Sequence, residues 1–456
     1  MQPLTLERRP EAALPLGQMA LATAGLALFS LAVGLLGPDL FGPDGWRTPA
    51  ALLTVHLATL AWLTPLMMGA LYQLVPVVLH LPLALPGWAV PARRVYTLGL
   101  VLFLAGLAAW SGVPGFGWLA ARPSAAWISL AAGGSLLALA ILVFLVQMGF
   151  TLAGLRQAGW SLQAAAVLAA LLALAAVAGW GLTLALNLRL GFLGAGVEKQ
   201  LAIHVTLGLG GWFGSLAMGV GYQLIPMFAP TRHLELPEAG WVLGAWLLGL
   251  AGVLGGLWLA PASVRWLLLL PGASMVAWAG DVVRIVRRRS RSQPMPLVTR
   301  FSLAAALTLG AAALWAMAAA WGRAPGAPVA LGGFLALAGY TLLGVGQMFK
   351  IVPFVLWQRL YLAAGSVRPS PAALASPPPP LKTGLWLPEP PAQLALPLFL
   401  VALGLVAAGA AGGLPALLVP GCVLWGLAGL LSTGLIGWAY RAAARSARAL
   451  EGSRLR

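Results

Sequence analysis

Residues 127–150 read WISLAAGGSLLALAILVFLVQMGF, two dozen positions without a single charge. At ~1.5 Å per residue such a stretch is longer than the ~30 Å hydrocarbon core of a bilayer. It does not alternate apolar with polar residues, as a strand of a membrane β-barrel would. Comparable runs recur along the whole chain of 456 residues, of which 61% are apolar and 8% charged. A soluble domain carries roughly 25% charged residues, so this composition cannot coat a water-soluble globule. The fold class is an all-α polytopic membrane protein.

Twelve helices are predicted, over 14–37, 48–79, 95–113, 125–151, 161–187, 200–229, 240–260, 263–286, 298–322, 328–357, 393–414 and 415–441. With a cytoplasmic N-terminus, 21 of the 27 Lys and Arg residues fall on the cytoplasmic side. The positive-inside rule then fixes both termini in the cytoplasm of a multi-pass inner-membrane protein. An odd number of helices would scramble this asymmetry. The formal charge of +17 comes mainly from arginines at helix ends. It reads as orientation signal and contact with anionic inner-leaflet lipids, not nucleic-acid binding.

Residues 1–13 form a cytoplasmic N-terminus, 14–357 the membrane bundle of helices one to ten, and 358–392 a Pro-rich cytoplasmic linker. A final helical pair spans 393–441, followed by a basic tail at 442–456. Leu16–Leu36 lacks a small-residue cleavage site and is read as a retained first helix. Cys422 is the only cysteine, which excludes an internal disulfide and any cysteine-based metal site.

One phrase occurs three times. Helix two ends in Met68-Gly69-Ala70-Leu71-Tyr72-Gln73-Leu74-Val75-Pro76, and helix six in Met218-Gly219-Val220-Gly221-Tyr222-Gln223-Leu224-Ile225-Pro226. Helix ten carries a weaker copy, Val345-Gly346-Gln347-Met348-Phe349-Lys350-Ile351-Val352-Pro353. Copies four helices apart run in the same direction, which predicts three parallel four-helix pseudo-repeats. Each proline frees the carbonyl four residues earlier, that of Tyr72, Tyr222 or Phe349. The glycines at 69, 219 and 346 allow close helix approach. Packing and kinking explain the phrase adequately. The functional alternative is an inner polar cluster of Tyr72, Gln73, Tyr222, Gln223, Gln347 and Lys350, serving a transporter or channel for a small solute, metal or proton.

Four histidines are present. His80 and His233 follow the ends of helices two and six, whereas His56 and His204 lie inside apolar sequence of those helices. Histidine within a span commonly marks a ligand or proton site, and neutral imidazole is a common metal and haem ligand. A helix-to-helix hydrogen bond is the alternative use. His56 precedes its tyrosine by sixteen residues and His204 by eighteen. In uniform α-helix that difference is ~200° of rotation, so the imidazoles are not symmetry mates. Pro65, without a counterpart in helix six, is the candidate for re-aiming His56.

Twelve helices, three pseudo-repeats and polar motifs on helices two, six and ten together resemble subunit I of the haem–copper oxidases. The stretch from His204 through Tyr222-Gln223-Leu224-Ile225-Pro226 is similar to the histidine- and leucine-rich helix of cytochrome oxidase and nitric oxide reductase catalytic subunits. The resemblance implies a low-spin haem ligand on helix two, corresponding to His56, and an active-site metal ligand on helix six, corresponding to His204. It also implies respiratory-chain subunits or a small redox protein as partners. Helix ten of that family bears two haem-ligating histidines, and residues 328–357 contain none. The paired copper ligands are missing as well, so a binuclear site for oxygen or nitric oxide reduction cannot be built. The resemblance therefore implies a degenerate relative holding one haem b, or a copper ion, through His56 and His204, in a redox, sensing or accessory role.

Asp281 is the only acidic residue inside a predicted span, and Arg284 one turn later predicts a local ion pair. Gln147, Trp180, Asn187 and Tyr340 are isolated polar positions without a specific signal.

Overall fold

The computed structural model describes residues 12–42, 44–229, 236–289, 294–324, 327–365 and 387–454. Among these, twelve helices are long and apolar enough to cross a bilayer. They are α1 Ala13–Leu40, α2 Pro49–Val78, α3 Pro86–Trp110, α4 Pro123–Ala158, α5 Leu162–Leu190 and α6 Gly194–Phe228. The second half comprises α7 Ala239–Leu259, α8 Pro261–Arg287, α9 Leu297–Ala320, α10 Pro328–Leu360, α11 Glu389–Gly412 and α12 Pro415–Arg448. The chain is a helical multi-pass membrane protein.

Local chemistry sets the helix ends. Pro49 opens α2 and the Thr48 side chain accepts the Ala51 amide at 3.2 Å, filling a donor that the first turn leaves unpaired. Ser161 caps α5 in the same way. Gly413, at φ 62°, ends α11 in the left-handed conformation and lets the chain turn straight into α12. His80 does the corresponding job beyond α2, at φ 55° and exposed. That gives it a structural use at the helix end.

Several boundaries differ from the sequence reading, three of them by eight residues or more. Helix α3 begins nine residues earlier than residue 95, so Arg93 and Arg94 lie within it. The guanidinium of Arg93 lies across Gly17 of α1, where a Cβ would overlap it, the long stem reaching to a polar end. Helix ten continues to Gly365, beyond the predicted linker start, and residues 366–386 of that linker lie outside the described residues. The last helix runs on to Arg454, through the segment read as a tail. Its extension, rich in Ala and Arg, favours helix in water as well as in lipid.

Successive helices pack as antiparallel neighbours, and α12 returns to lie along α1. Helices α2 and α10 are the most enclosed, with 67% and 72% of their central windows buried. Lipid tails give helices no hydrophobic reason to associate, so close contact must come from small residues. Gly69 of α2 meets Gln18 and the Pro15 carbonyl of α1; Gly219 of α6 meets Ala166 of α5; Gly346 of α10 meets Phe301 of α9. The recurring glycine thus makes a close helix contact each time, as the phrase predicts.

Gly25 has the strictest requirement. A Cβ there would overlap the Ala61 carbonyl in the backbone of α2, which has no rotamer by which to move away. Gly34, on the same helix, has only ordinary contacts at 3.7 Å and beyond. Gly25→Ala is therefore expected to destabilise the protein by about 1–3 kcal/mol through overpacking, whereas Gly34→Ala leaves it unchanged. Thermal unfolding midpoints of the two variants in detergent check this, and equal midpoints would contradict it.

Candidate cofactor site

His56 and His204 point into one cavity. Their ring centroids lie 6.5 Å apart, with ring planes inclined at 25°. The cavity, about 830 Å³, occupies the end of the bundle at which α2 and α6 begin. Its walls are mainly apolar, including Phe29 of α1, Ile141 of α4, Leu174 of α5 and Leu250 of α7. At the rim Arg47 and Glu198 form an ion pair of 2.7 Å, with the guanidinium 4.6 Å from the Trp46 ring centroid. Both partners are exposed, so the pair adds only ~0–1 kcal/mol. It does join the start of α2 to the start of α6.

Uniform helices would not bring these imidazoles together, and the helices are not uniform. Leu57–Leu63, directly after His56, is π-helical, and so is Thr206–Gly214, beginning two residues after His204. A π-helix bonds i to i+5 and so turns less per residue than an α-helix. The ~200° offset expected for uniform α-helix therefore does not apply. The helix with the longer His-to-Tyr spacing also has the longer π segment, nine residues against seven. Among the described residues no other helix has such a segment, and α10, which has no histidine, is α-helical along its whole length.

The tautomers follow from the hydrogen bonds. Nδ1 of His56 lies 2.7 Å from the Leu52 carbonyl, so it carries the proton and donates. Nε2 is left with its lone pair. Nδ1 of His204 is buried without a well-aligned hydrogen-bond partner, although the Val177 main chain lies beside the ring. Gly181 of α5 leaves room for this imidazole, since a Cβ there would stand 3.0 Å from His204 Cε1. Phe103 of α3 packs 5.3 Å from the His56 ring.

The donor set limits what could be held. Two imidazoles sharing one metal at ~2.0 Å per nitrogen place their nitrogens ~4 Å and their ring centroids about 6 Å apart. The 6.5 Å separation is near that value. No group of three or more His, Cys, Asp or Glu suited to a metal exists among the described residues. A bare ion would therefore have only these two protein ligands, fewer than such ions usually take. A haem brings four nitrogens of its own and needs only axial donors, so these residues fit a haem better than a lone copper ion.

Four of the six residues of the predicted inner cluster hydrogen-bond to residues outside it. The Tyr72 hydroxyl donates to Gln147 Oε1 at 2.9 Å, and Gln147 Nε2 donates to the Ala84 and Leu85 carbonyls at 3.0 and 2.9 Å. Gln147 thereby holds the α2–α3 connection, where Leu85 is left-handed at φ 49°. The Tyr222 hydroxyl donates to Asp281 Oδ2 at 2.6 Å. Gln223 Oε1 accepts weakly from Gln163 at 3.4 Å, and Gln347 Nε2 donates to Ser302 at 3.3 Å. Gln73 is buried and Lys350 exposed. None of the six lines the histidine cavity.

The predicted Asp281–Arg284 ion pair is present, and Arg284 also pairs with Glu238. The isolated polar positions all have partners. Trp180 donates to Gln200 at 3.0 Å, Asn187 accepts the Leu193 amide at 2.8 Å, and Tyr340 donates to the Leu209 carbonyl at 2.7 Å. Cys422 is buried against Gly37, in keeping with a packing role. His233 lies outside the described residues.

Sequence reasoning missed Tyr96, which contacts the π segment of α2. It also missed the π segments themselves. Pro65, immediately past the first of them, was the available signal. No protein-family model matches this chain, and no curated protein matches it either.

Proposed function

We propose that this protein holds one haem b through His56 and His204, near the outer face of the membrane, in electron transfer or redox sensing. The observation that carries this reading is the pair of imidazoles 6.5 Å apart in a shared apolar cavity. A haem held by both imidazoles would supply one-electron chemistry. His56 is pre-set to ligate, since its Nδ1–H is committed to Leu52, and such an outer bond fixes ring orientation and raises ligand basicity. The apolar walls keep water from the site, and Arg47 at the rim is a cation suited to an anionic edge of the bound group.

On this reading the chain is a degenerate relative of haem–copper oxidase subunit I, with three parallel pseudo-repeats and both termini inside. Two of the repeats would retain a histidine with its π segment, and the third neither. Respiratory-chain subunits or a small redox protein would exchange electrons with it, and its arginines would meet anionic inner-leaflet lipids. The transport alternative needs its six polar residues around a common path, and Tyr72, Tyr222, Gln223 and Gln347 are each bonded to residues outside that set.

The test is a reduced-minus-oxidised absorption spectrum of the detergent-purified protein, with iron and copper determined on the same sample. A b-type band with one iron per chain is expected. Absence of both a haem band and stoichiometric copper would remove the proposal.

A further inference from the structure

The hydrogen-bond ladder of α2 can be followed through its π segment. The Thr64 amide donates to the Thr59 carbonyl, five residues back. In an α-helix that amide would have served Leu60. The residue five positions beyond Leu60 is Pro65, which has no N–H. The Leu60 carbonyl therefore finds no donor in its own helix, at a depth where lipid offers none. The hydroxyl of Tyr96, reaching across from α3, donates to it at 2.6 Å, and Tyr96 is completely buried.

Helix α6 also takes a tyrosine hydroxyl on its π segment, but there the gripped carbonyl keeps a donor in its own ladder, since Gly214, five residues beyond Leu209, has an N–H. The hydroxyl of Tyr340, from α10, donates at 2.7 Å to the carbonyl of Leu209, in the middle of Thr206–Gly214. The ring of Tyr340 lies against Phe213 at 5.7 Å, and Gly214 leaves room for its hydroxyl, which a Cβ would approach to 3.1 Å. Two π segments are thus each gripped at a main-chain carbonyl by a tyrosine from another helix. A histidine precedes each grip, by four residues in α2 and five in α6. Because π and α turns rotate the chain by different amounts, fixing where the π segment lies also fixes the direction in which the histidine points.

We infer that Tyr96 and Tyr340 are positioning residues, whose hydroxyls lock the π segments of α2 and α6 and so hold His56 and His204 in their shared cavity. Its spectroscopic consequence rests on the haem reading, whereas its structural consequence does not. Tyr440 supplies the control: its hydroxyl donates at 2.9 Å to the Leu16 carbonyl of α1, outside any π segment.

The experiment compares Tyr96→Phe, Tyr340→Phe and Tyr440→Phe in the full-length protein in detergent. Each change removes one oxygen and keeps the ring. Hydrogen–deuterium exchange should rise about tenfold within 57–66 for Tyr96→Phe, where the Leu60 carbonyl loses its donor, and by a smaller factor within 206–215 for Tyr340→Phe, where the Leu209 carbonyl loses one donor of two. Tyr440→Phe should change neither region. If the protein carries haem, electron paramagnetic resonance of the ferric form reports the angle between the axial imidazole planes. That signal should move in the first two variants and not in the third. Unchanged exchange in both clamp variants, or an equal rise in Tyr440→Phe, overturns the inference. A local rise with an unmoved haem signal overturns the positioning of the imidazoles. If the wild type has no haem, the haem reading falls, and the exchange pattern alone decides whether the tyrosines lock the segments.

Discussion

Replacing either His56 or His204 by alanine is expected to abolish the signal of the proposed haem completely, not to halve it. The two imidazoles serve one cavity from opposite helices, so neither has a second site to fall back on. Among the described residues no further cluster of His, Cys, Asp or Glu could take over. His80 is the internal comparison, since it is exposed at the end of α2 and does not line the cavity. His80→Ala should therefore leave the spectrum unaltered. The measurement is the reduced-minus-oxidised spectrum of each variant at equal protein concentration. A wild-type band in either cavity variant would show that the imidazole in question is not a ligand.

A second feature of the site constrains how such variants should be read. Gly181 stands 3.0 Å, measured from where its Cβ would be, from the His204 ring, and Phe103 covers the His56 ring. Removing an imidazole opens space that these neighbours do not fill. Some loss of stability is expected beside the spectral change, and His80→Ala should show neither.

The membrane architecture was legible because bilayer thickness imposes a length and an apolar content that few other structures share. Residues 127–150 alone decide the matter, and the twelve helices follow from repeating that reading. The close glycine contacts at 69, 219 and 346 were legible for a related reason: without a side chain, the residue permits what a larger one forbids. The meeting of His56 and His204 was not legible. Sixteen and eighteen residues of ideal helix place them on unlike faces, and only the π segments bring them together. Pro65 marks one of those segments, since it removes the amide that would close an α turn. Nothing comparable marks Thr206–Gly214, where four glycines in nine residues suggest looseness but no particular geometry. The partners of Tyr72 and Tyr222 were also out of reach, because Gln147 and Asp281 lie on helices whose lateral packing the sequence does not state.

The second large effect is expected at Arg284. Asp281 is 1% exposed, and its two carboxylate oxygens are taken by the Tyr222 hydroxyl and the Arg284 guanidinium. Arg284→Gln would leave a buried carboxylate with only the tyrosine for company. Breaking a buried pair on one side typically costs about 3–5 kcal/mol. Because Arg284 is half-exposed, solvent screening lowers the expectation to about 1–3 kcal/mol. Tyr222→Phe removes one hydrogen bond to the same charge and should cost about 1–2 kcal/mol. The double variant Asp281→Asn with Arg284→Gln removes charge on both sides and should be more stable than Arg284→Gln alone. Gln147 supports this expectation, since an amide already satisfies Tyr72 in the corresponding contact between α2 and α4. Acid should act in the same direction as the single arginine variant. Glu238, just outside α7, is held below the usual carboxylate range, first by its own main-chain amide, against an opposing effect of burial, and then by Arg284. Its contribution is present above the ordinary carboxylate pKa and is lost as pH falls through the lowered value. Thermal midpoints of the four proteins near neutral pH, with the wild type repeated in acid, separate these effects. If the double variant were no more stable than Arg284→Gln, the penalty would belong to the lost guanidinium packing and not to an uncompensated charge at Asp281.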